Sequence, residues 1–216
     1  RAADSPAARH PTRSRRSAAT RLMLHAMQAA AGNIYDFPQY FDLLFRDETK
    51  PEADFIQAAC QKYATGQVQR LLEPGCGGGR LLVEMARRGF QMLGFDRSQP
   101  ALDFLRTELS RRRLSAEVFQ ADLANFRVRR PVDAAFCTFN TFRHLLSEQA
   151  AASHLGAVAR ALRRGGIYIL GFHLLPRDVD EHCIERWTAQ RGRTRVSVTL
   201  RVLSAVRRQR LEQLRL

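Results

Sequence analysis

The chain reads as α/β: a doubly wound, mostly parallel sheet with a helical N-terminal cap and an antiparallel C-terminal strand. Three observations predict this class. Five short apolar runs alternate with helix-period segments between Val68 and Phe172, the pattern of right-handed crossovers in a parallel sheet covered on both faces. A dense glycine cluster follows the first run and opens a helix. Toward the C-terminus the pattern changes to strict single-residue alternation in RTRVSVTLRVL, as in an antiparallel strand with one solvated face.

Taken in order, residues 1–21 carry six Arg against Asp4 and read as a disordered basic leader. The leader has no apolar h-region, so a secretory signal is not expected; its Arg- and Ser-rich, acid-poor composition also suits an organelle transit peptide, and Met23 offers an alternative start. Residues 22–66 read as a helical cap and substrate-admitting segment. LMLHAMQAA is a short helix, YDFPQYFDLLF an aromatic stretch, and PEADFIQAACQKYA a helix starting at Pro51 with Phe55, Ile56, Ala59, Cys60 and Tyr63 on one face.

Residues 67–175 read as the α/β core. VQRLLE is a strand ending at Pro74-Gly75, and the next helix turns Leu81, Leu82 and Met85 inward with Gly89 at its C-terminal end. FQMLGFD is the second strand. The helix after it is N-capped by Ser98, has Pro100 in its first turn, and carries Leu102, Leu105 and Leu109 along one face. SAEVFQAD and VDAAFCTF are the third and fourth strands. A helix from about Ser147 to Arg164 turns Ala151, Leu155, Val158 and Leu162 inward, and Gly165-Gly166 leads into IYILGF, the fifth strand. In residues 176–216, Val196, Val198, Leu200 and Val202 share one strand face, RRQRLEQLRL starts another strand or a helix, and the region reads as incomplete.

Composition bounds the function. With 216 residues, 45% of them hydrophobic, the chain suits one soluble domain, and no stretch approaches the ~20 apolar residues of a membrane helix. The formal charge of +14 sits at the ends: residues 1–21 and 186–216 hold thirteen of the charges, while residues 22–185 carry 20 basic against 19 acidic groups. Only Lys50 and Lys62 are lysines, and the arginines are scattered without interleaved aromatics, so specific nucleic-acid binding is not expected. Cys60, Cys76, Cys137 and Cys183 form no C-x-x-C pair and have no His at ligand spacing; no metal site is expected, and free thiols fit a reducing, cytoplasmic compartment.

Glu73-Pro74-Gly75-Cys76-Gly77-Gly78-Gly79-Arg80 follows the first strand. A dinucleotide fingerprint beginning at Gly75 needs glycine at 80, which is Arg. The pattern is instead an acidic residue, a spacer, and Gly at 75, 77 and 79. Asp96 ends the second strand about twenty residues on, and Asp122 ends the third.

Together these motifs resemble class I S-adenosylmethionine-dependent methyltransferases, over roughly Tyr35 to His173. The resemblance implies a Rossmann-like fold and S-adenosyl-L-methionine as cofactor. It implies a cradle of Glu73, Gly75, Cys76, Gly77 and Gly79, ribose contact by Asp96 with Arg97 beside it, and adenine contact by Asp122 and Leu123. It further implies that Tyr35 and Tyr40 fold over the sulfonium cation, with Asn140 at the mouth of the crevice. His144 is a candidate base, an imidazole being readily poised near neutral pH. Each position also has a plainer reading: Asp96 and Asp122 as solvated strand-end carboxylates, Glu73 as a helix cap, Cys76 as a loop filler, Tyr35 and Tyr40 as core packing, His144 as an ordinary helix-start residue. In-line methyl transfer needs no dedicated catalytic dyad. TFNTF lacks the Asn/Asp-Pro-Pro-aromatic signature of amino-methylating nucleic-acid enzymes, and Cys137 lacks a preceding Pro, so a base-flipping enzyme is disfavoured and a small-molecule acceptor is expected. The remaining alternatives are an inactive cofactor-binding subunit and a nicotinamide-dependent oxidoreductase.

Overall fold

The computed structural model describes residues 34–173, 183–209 and 211–216. The expected leader (1–21) and the helix expected in LMLHAMQAA lie outside the described residues.

Five parallel strands form the main sheet: β1 (Arg70–Pro74), β2 (Gln91–Asp96), β3 (Ala116–Gln120), β4 (Val132–Cys137) and β5 (Leu162–Leu170), in the order β3-β2-β1-β4-β5. The chain builds outward from β1 to β3 and then returns to lay β4 against the other edge of β1. Strand order therefore reverses between β1 and β4, and the carboxyl ends of these two strands are where an open sheet of this order places its ligand crevice. The central strands are apolar on both faces because both are covered. Leu71, Met92, Ala134 and Phe136 meet helices on one side, while Leu72, Leu93, Phe95 and Ala135 meet the other layer.

The first layer holds α2 (Thr49–Tyr63), α3 (Arg80–Arg87) and α4 (Gln99–Arg111). The second is α5 (Glu148–Ala161) together with Phe126 from the loop after β3. α4 starts as expected: the Ser98 hydroxyl accepts from the Ala101 N–H at 3.3 Å, Pro100 sits in the first turn, and Leu102, Leu105 and Leu109 are buried. α3 buries Leu81, Leu82 and Met85, and Gly89, past its end, has φ +93°.

Two helix faces differ from expectation. α2 buries Ala53, Ile56, Ala59 and Cys60, while Phe55 and Tyr63 are 60% and 64% exposed. Phe55 lies one residue, about 100° of helix, off the stripe that carries Ile56, and around Ile56 that stripe is made of the small Ala53, Ala59 and Cys60, which let the helix lie close to the sheet. α5 likewise buries His154, Ala157, Val158 and Ala161 and leaves Leu155 exposed. Gly165 and Gly166 fall inside the span of β5, where the register against β4 jumps from Val132↔Leu162 to Ala134↔Ile167.

The C-terminal strands do not extend the main sheet. β6 (Ile184–Arg191), which no sequence pattern announces, pairs antiparallel with β7 (Thr194–Val206), and β7 with β8 (Leu211–Arg215), in a separate three-stranded sheet. A two-residue turn, Gly192-Arg193, with Gly192 at φ +56° and Arg191 opposite Thr194, folds β7 back on its sequence neighbour. Val196, Val198, Leu200 and Val202 do share the half-buried face of β7. This sheet meets α1 (Pro38–Leu44), and Glu212 of β8 pairs with Arg143 of the main domain at 2.6 Å. Among the described residues no helix is long and apolar enough to cross a membrane.

Candidate active site

The turn after β1 needs glycine at alternate positions: Gly75, Gly77 and Gly79 have φ of +66°, +51° and +80°. The Cys76 N–H donates to the Phe95 carbonyl at 2.9 Å, which pins the turn to β2. The glycines then differ in what they face. A side-chain carbon at Gly75 would stand 2.5 Å from the Thr141 methyl and 3.5 Å from Leu123. At Gly79 it would strike Leu105, so this glycine lets α4 close on the turn. Gly78 packs on Pro38 and Phe104, and Gly77 alone has nothing within 4 Å. Bare backbone at this bend is thus one residue rather than three. Cys76 is buried with its sulfur against Gly94, and burial pushes its thiol well above the ordinary range.

Asp96, at the end of β2, spans the crevice floor. Its Oδ2 accepts from the Gly77 N–H at 2.8 Å and its Oδ1 from the Ser98 N–H at 2.8 Å, joining the glycine turn to the start of α4. The Arg97 carbonyl accepts from the Gln120 amide at 2.9 Å, and the Ala121 N–H donates to the Asp96 carbonyl at 3.2 Å, so the end of β3 is tied to the same rim. Beyond it Asp122 is exposed, its Oδ1 accepting from the Ala124 N–H at 2.8 Å, and Leu123 reaches back toward Gly75.

Glu73 lies beneath the turn. It is 8% exposed and its Oε2 has no hydrogen-bond partner; burial pushes its carboxyl well above the usual range, with the Arg80 charge opposing. Arg80 is itself engaged by Glu52 at 2.5 Å and Thr49 at 3.2 Å, and its guanidinium stands 5.2 Å from the Phe139 ring.

The other wall follows β4. Phe139 and Asn140 are both left-handed, at φ +60° and +65°, a pair of strained residues at the mouth of the crevice. Asn140 spends its side chain on His173 past β5: its Oδ1 accepts from the His173 N–H at 2.7 Å, and its Nδ2 lies 3.3 Å from Nδ1. In the short turn Thr141–His144, His144 Nε2 is 3.0 Å from the Tyr35 hydroxyl, the rings edge to face at 81°. Burial, then Arg97 and Arg143, holds the His144 imidazole below its usual range against the pull of Asp96, and burial with Asp96 raises the Tyr35 hydroxyl.

The structure therefore brings Glu73, the glycines, Asp96, Arg97, Asp122, Leu123, Asn140, Tyr35 and His144 to the carboxyl ends of β1 to β4. It does not bring Tyr40 there. Tyr40 stacks on Phe37 at 6.1 Å and faces a different cleft, of about 570 Å³, shared with Phe104, Glu108, Arg112 and Arg191. Its place is taken by residues the sequence reading does not single out: Phe41 and Phe45, whose rings lie 5.9 and 4.5 Å from Phe139. Arg80 was legible, standing directly after the last glycine; Phe139 carries no signal until its backbone is seen. Among the described residues no group of His, Cys, Asp or Glu could hold a metal ion.

Residues 71–166 match a family model described as a methyltransferase domain. A Geobacillus sp. (strain WCH70) protein named as a methyltransferase is 24% identical over 119 residues, 55% of this chain and 48% of its own length, so the match spans about half of that relative. The sugar N-methyltransferase KedS8 from Streptoalloteichus sp. superposes with TM-score 0.66 at 20% identity, over 89% of this chain and 72% of its own. An S-adenosylmethionine-dependent methyltransferase from Clostridium acetobutylicum does so with TM-score 0.57 at 19% identity, over 77% and 80%. CalS10 from Micromonospora echinaspora, an amino pentose methyltransferase solved with S-adenosylmethionine bound, gives 0.62 at 21% identity, over 81% and 71%. Residues 71–166 are thus similar to a methyltransferase domain, and the chain has the fold of the class I S-adenosylmethionine-dependent methyltransferases.

Proposed function

We propose that this chain binds S-adenosylmethionine and methylates an amine nitrogen of a small-molecule acceptor. The observation that carries the reading is the single rim on which the bare Gly77, the Asp96 carboxylate and Asp122 meet above the unpaired, buried Glu73 oxygen. These residues fit the cofactor. A carboxylate offers about four lone-pair sites, so Asp96 can take ribose hydroxyls beyond its two backbone donors. The dry Glu73 oxygen suits a cationic neighbour, and the Phe41, Phe139 and Tyr35 rings suit a sulfonium.

When bound, S-adenosylmethionine supplies an activated methyl group on sulfur. What the chain contributes is alignment and exclusion of water, effects that provide up to about 7–11 kcal/mol of a barrier, together with a proton acceptor. An amine that arrives as its ammonium form must lose a proton before its lone pair can attack. The imidazole of His144, which burial and the nearby arginines bias toward the neutral form, would in its Nδ1–H tautomer accept at Nε2 from the Tyr35 hydroxyl, which takes the acceptor's proton in turn. Such general base catalysis contributes about 10²–10⁴-fold. The N-methyltransferase KedS8 among the structural neighbours agrees with a nitrogen acceptor.

Calorimetric titration with S-adenosylmethionine and S-adenosylhomocysteine tests the cofactor reading. Wild type should bind in the micromolar range and Asp96→Ala at least tenfold more weakly, about 1.4 kcal/mol; equal affinities, or binding of a nicotinamide dinucleotide instead, reject it. With a panel of amines, His144→Gln and Tyr35→Phe should lower kcat with cofactor affinity intact. Since the base must be neutral and burial lowers its affinity for protons, kcat/KM should stay level down to about pH 6.5 and fall only below it. Tight cofactor binding without turnover on any amine would reject the acceptor class.

A further inference from the structure

His154 is fully buried in α5, outside the residues that reach the crevice, and is bonded at both ring nitrogens. Its Nδ1 stands 2.8 Å from the Leu123 carbonyl and its Nε2 2.7 Å from the Tyr168 hydroxyl. A carbonyl only accepts, so Nδ1 carries the hydrogen, and the bare Nε2 accepts from the Tyr168 O–H. A directional chain thus runs from β5 through α5 to the loop after β3. The imidazole also meets the Phe142 ring edge-on, at 5.5 Å between centroids.

Leu123 and Phe142 belong to the two walls of the crevice. The Leu123 side chain and Thr141, next to Phe142, both lie within 4 Å of where a side-chain carbon on Gly75 would stand. One ring therefore supports both walls. An apolar side chain would fill the same space without the desolvation cost of buried polar groups, so the cost is met by what the ring holds in place.

Resting on the cofactor reading above, we propose that His154 is a positioning residue for the nucleoside end of the site. Its Nδ1–H fixes the Leu123 peptide, and its ring seats the Thr141–His144 turn, so that the walls keep the separation an adenosyl group requires.

Two substitutions separate the bonds. His154→Asn places an amide nitrogen near the Nδ1 position and keeps the Leu123 contact, while His154→Gln reaches toward Tyr168 and drops it. For each, dissociation constants are measured for S-adenosylhomocysteine and for adenosine alone, with KM and kcat for the cofactor, at a fixed interval below each melting temperature. His154→Gln should weaken both ligands fivefold or more and raise the cofactor KM while kcat at saturation holds; His154→Asn should stay within twofold of wild type. Equal losses in the two variants, or none in His154→Gln, overturn the proposal. So does ¹⁵N spectroscopy of the wild type if it finds the hydrogen on Nε2, a measurement that needs no variant to fold. If wild type binds no adenosyl ligand at all, the cofactor reading fails instead.

Discussion

Gly77 and Gly79 both adopt positive φ, yet a methyl group added at each meets different surroundings. In Gly77→Ala the added carbon finds open space, so the cost to folding is the left-handed backbone alone, about 1–2 kcal/mol, while the methyl occupies the surface a ligand would lie against. In Gly79→Ala the carbon runs into Leu105, adding an overpacking cost of about 1–3 kcal/mol. Thermal melts and S-adenosylmethionine titrations of both should therefore rank them in opposite orders: Gly79→Ala melts lower, and Gly77→Ala loses at least tenfold in affinity while melting closer to wild type. The same ordering in both assays would place the ligand surface elsewhere on the turn. Phe139 and Asn140 hold strain of the same backbone kind, kept by the Phe45 ring on one and the His173 contacts on the other.

Between elements, the Arg143–Glu212 pair links the separate C-terminal sheet to the turn carrying His144. Glu212 is 9% exposed on its side chain, so removing its partner leaves a mostly buried charge. Arg143→Ala should speed amide exchange in β8 and β7 by an order of magnitude or more while leaving β1 and β2 unchanged; uniform exchange would mean that the pair is incidental. The same elements mark what was legible in advance. The five parallel strands, the capped α4 and the rim of Gly75, Gly77 and Asp96 follow from apolar runs, Ser98 and glycine spacing, all local signals. The faces of α2 and α5 were not legible, because small residues and one histidine pack inward while Phe55 and Leu155 face water, a choice made by how closely each helix approaches the sheet. β6 was hidden by its mixed composition, IERWTAQR, which alternates too weakly to announce a strand until its partner is known. Tyr40 and Phe41 are adjacent, and only the angle of α1 decides which of them meets Phe139.

Over the whole molecule, stability should depend on pH in two steps of known sign. Glu84 is held down to about 2 by hydrogen bonds from Arg87 and Arg88, below its ordinary 4.5, so its contribution is complete above 4.5 and disappears as pH falls toward 2. Burial lowers His154, so the folded chain resists its protonation, and stability present above about 6.5 declines as pH drops beneath that value. Denaturant midpoints of Glu84→Gln and His154→Asn against pH should show a smaller lower and a smaller upper step respectively, with Glu108 and Asp133 keeping part of the first and His144 part of the second; an unchanged profile in either rejects that assignment. The basic ends act differently: nucleic acid should bind weakly and without sequence preference, with affinity falling steeply in salt and vanishing when residues 1–21 are removed. Glu73 couples the two themes of charge and ligand. Burial raises its carboxyl above the ordinary range, and a positive ligand arriving beside it would push that shift back and release hydrogen ion to the medium at any pH where the free group still holds one. Calorimetric heats measured in buffers of unlike ionisation enthalpy should therefore diverge, and with Glu73→Gln they should coincide.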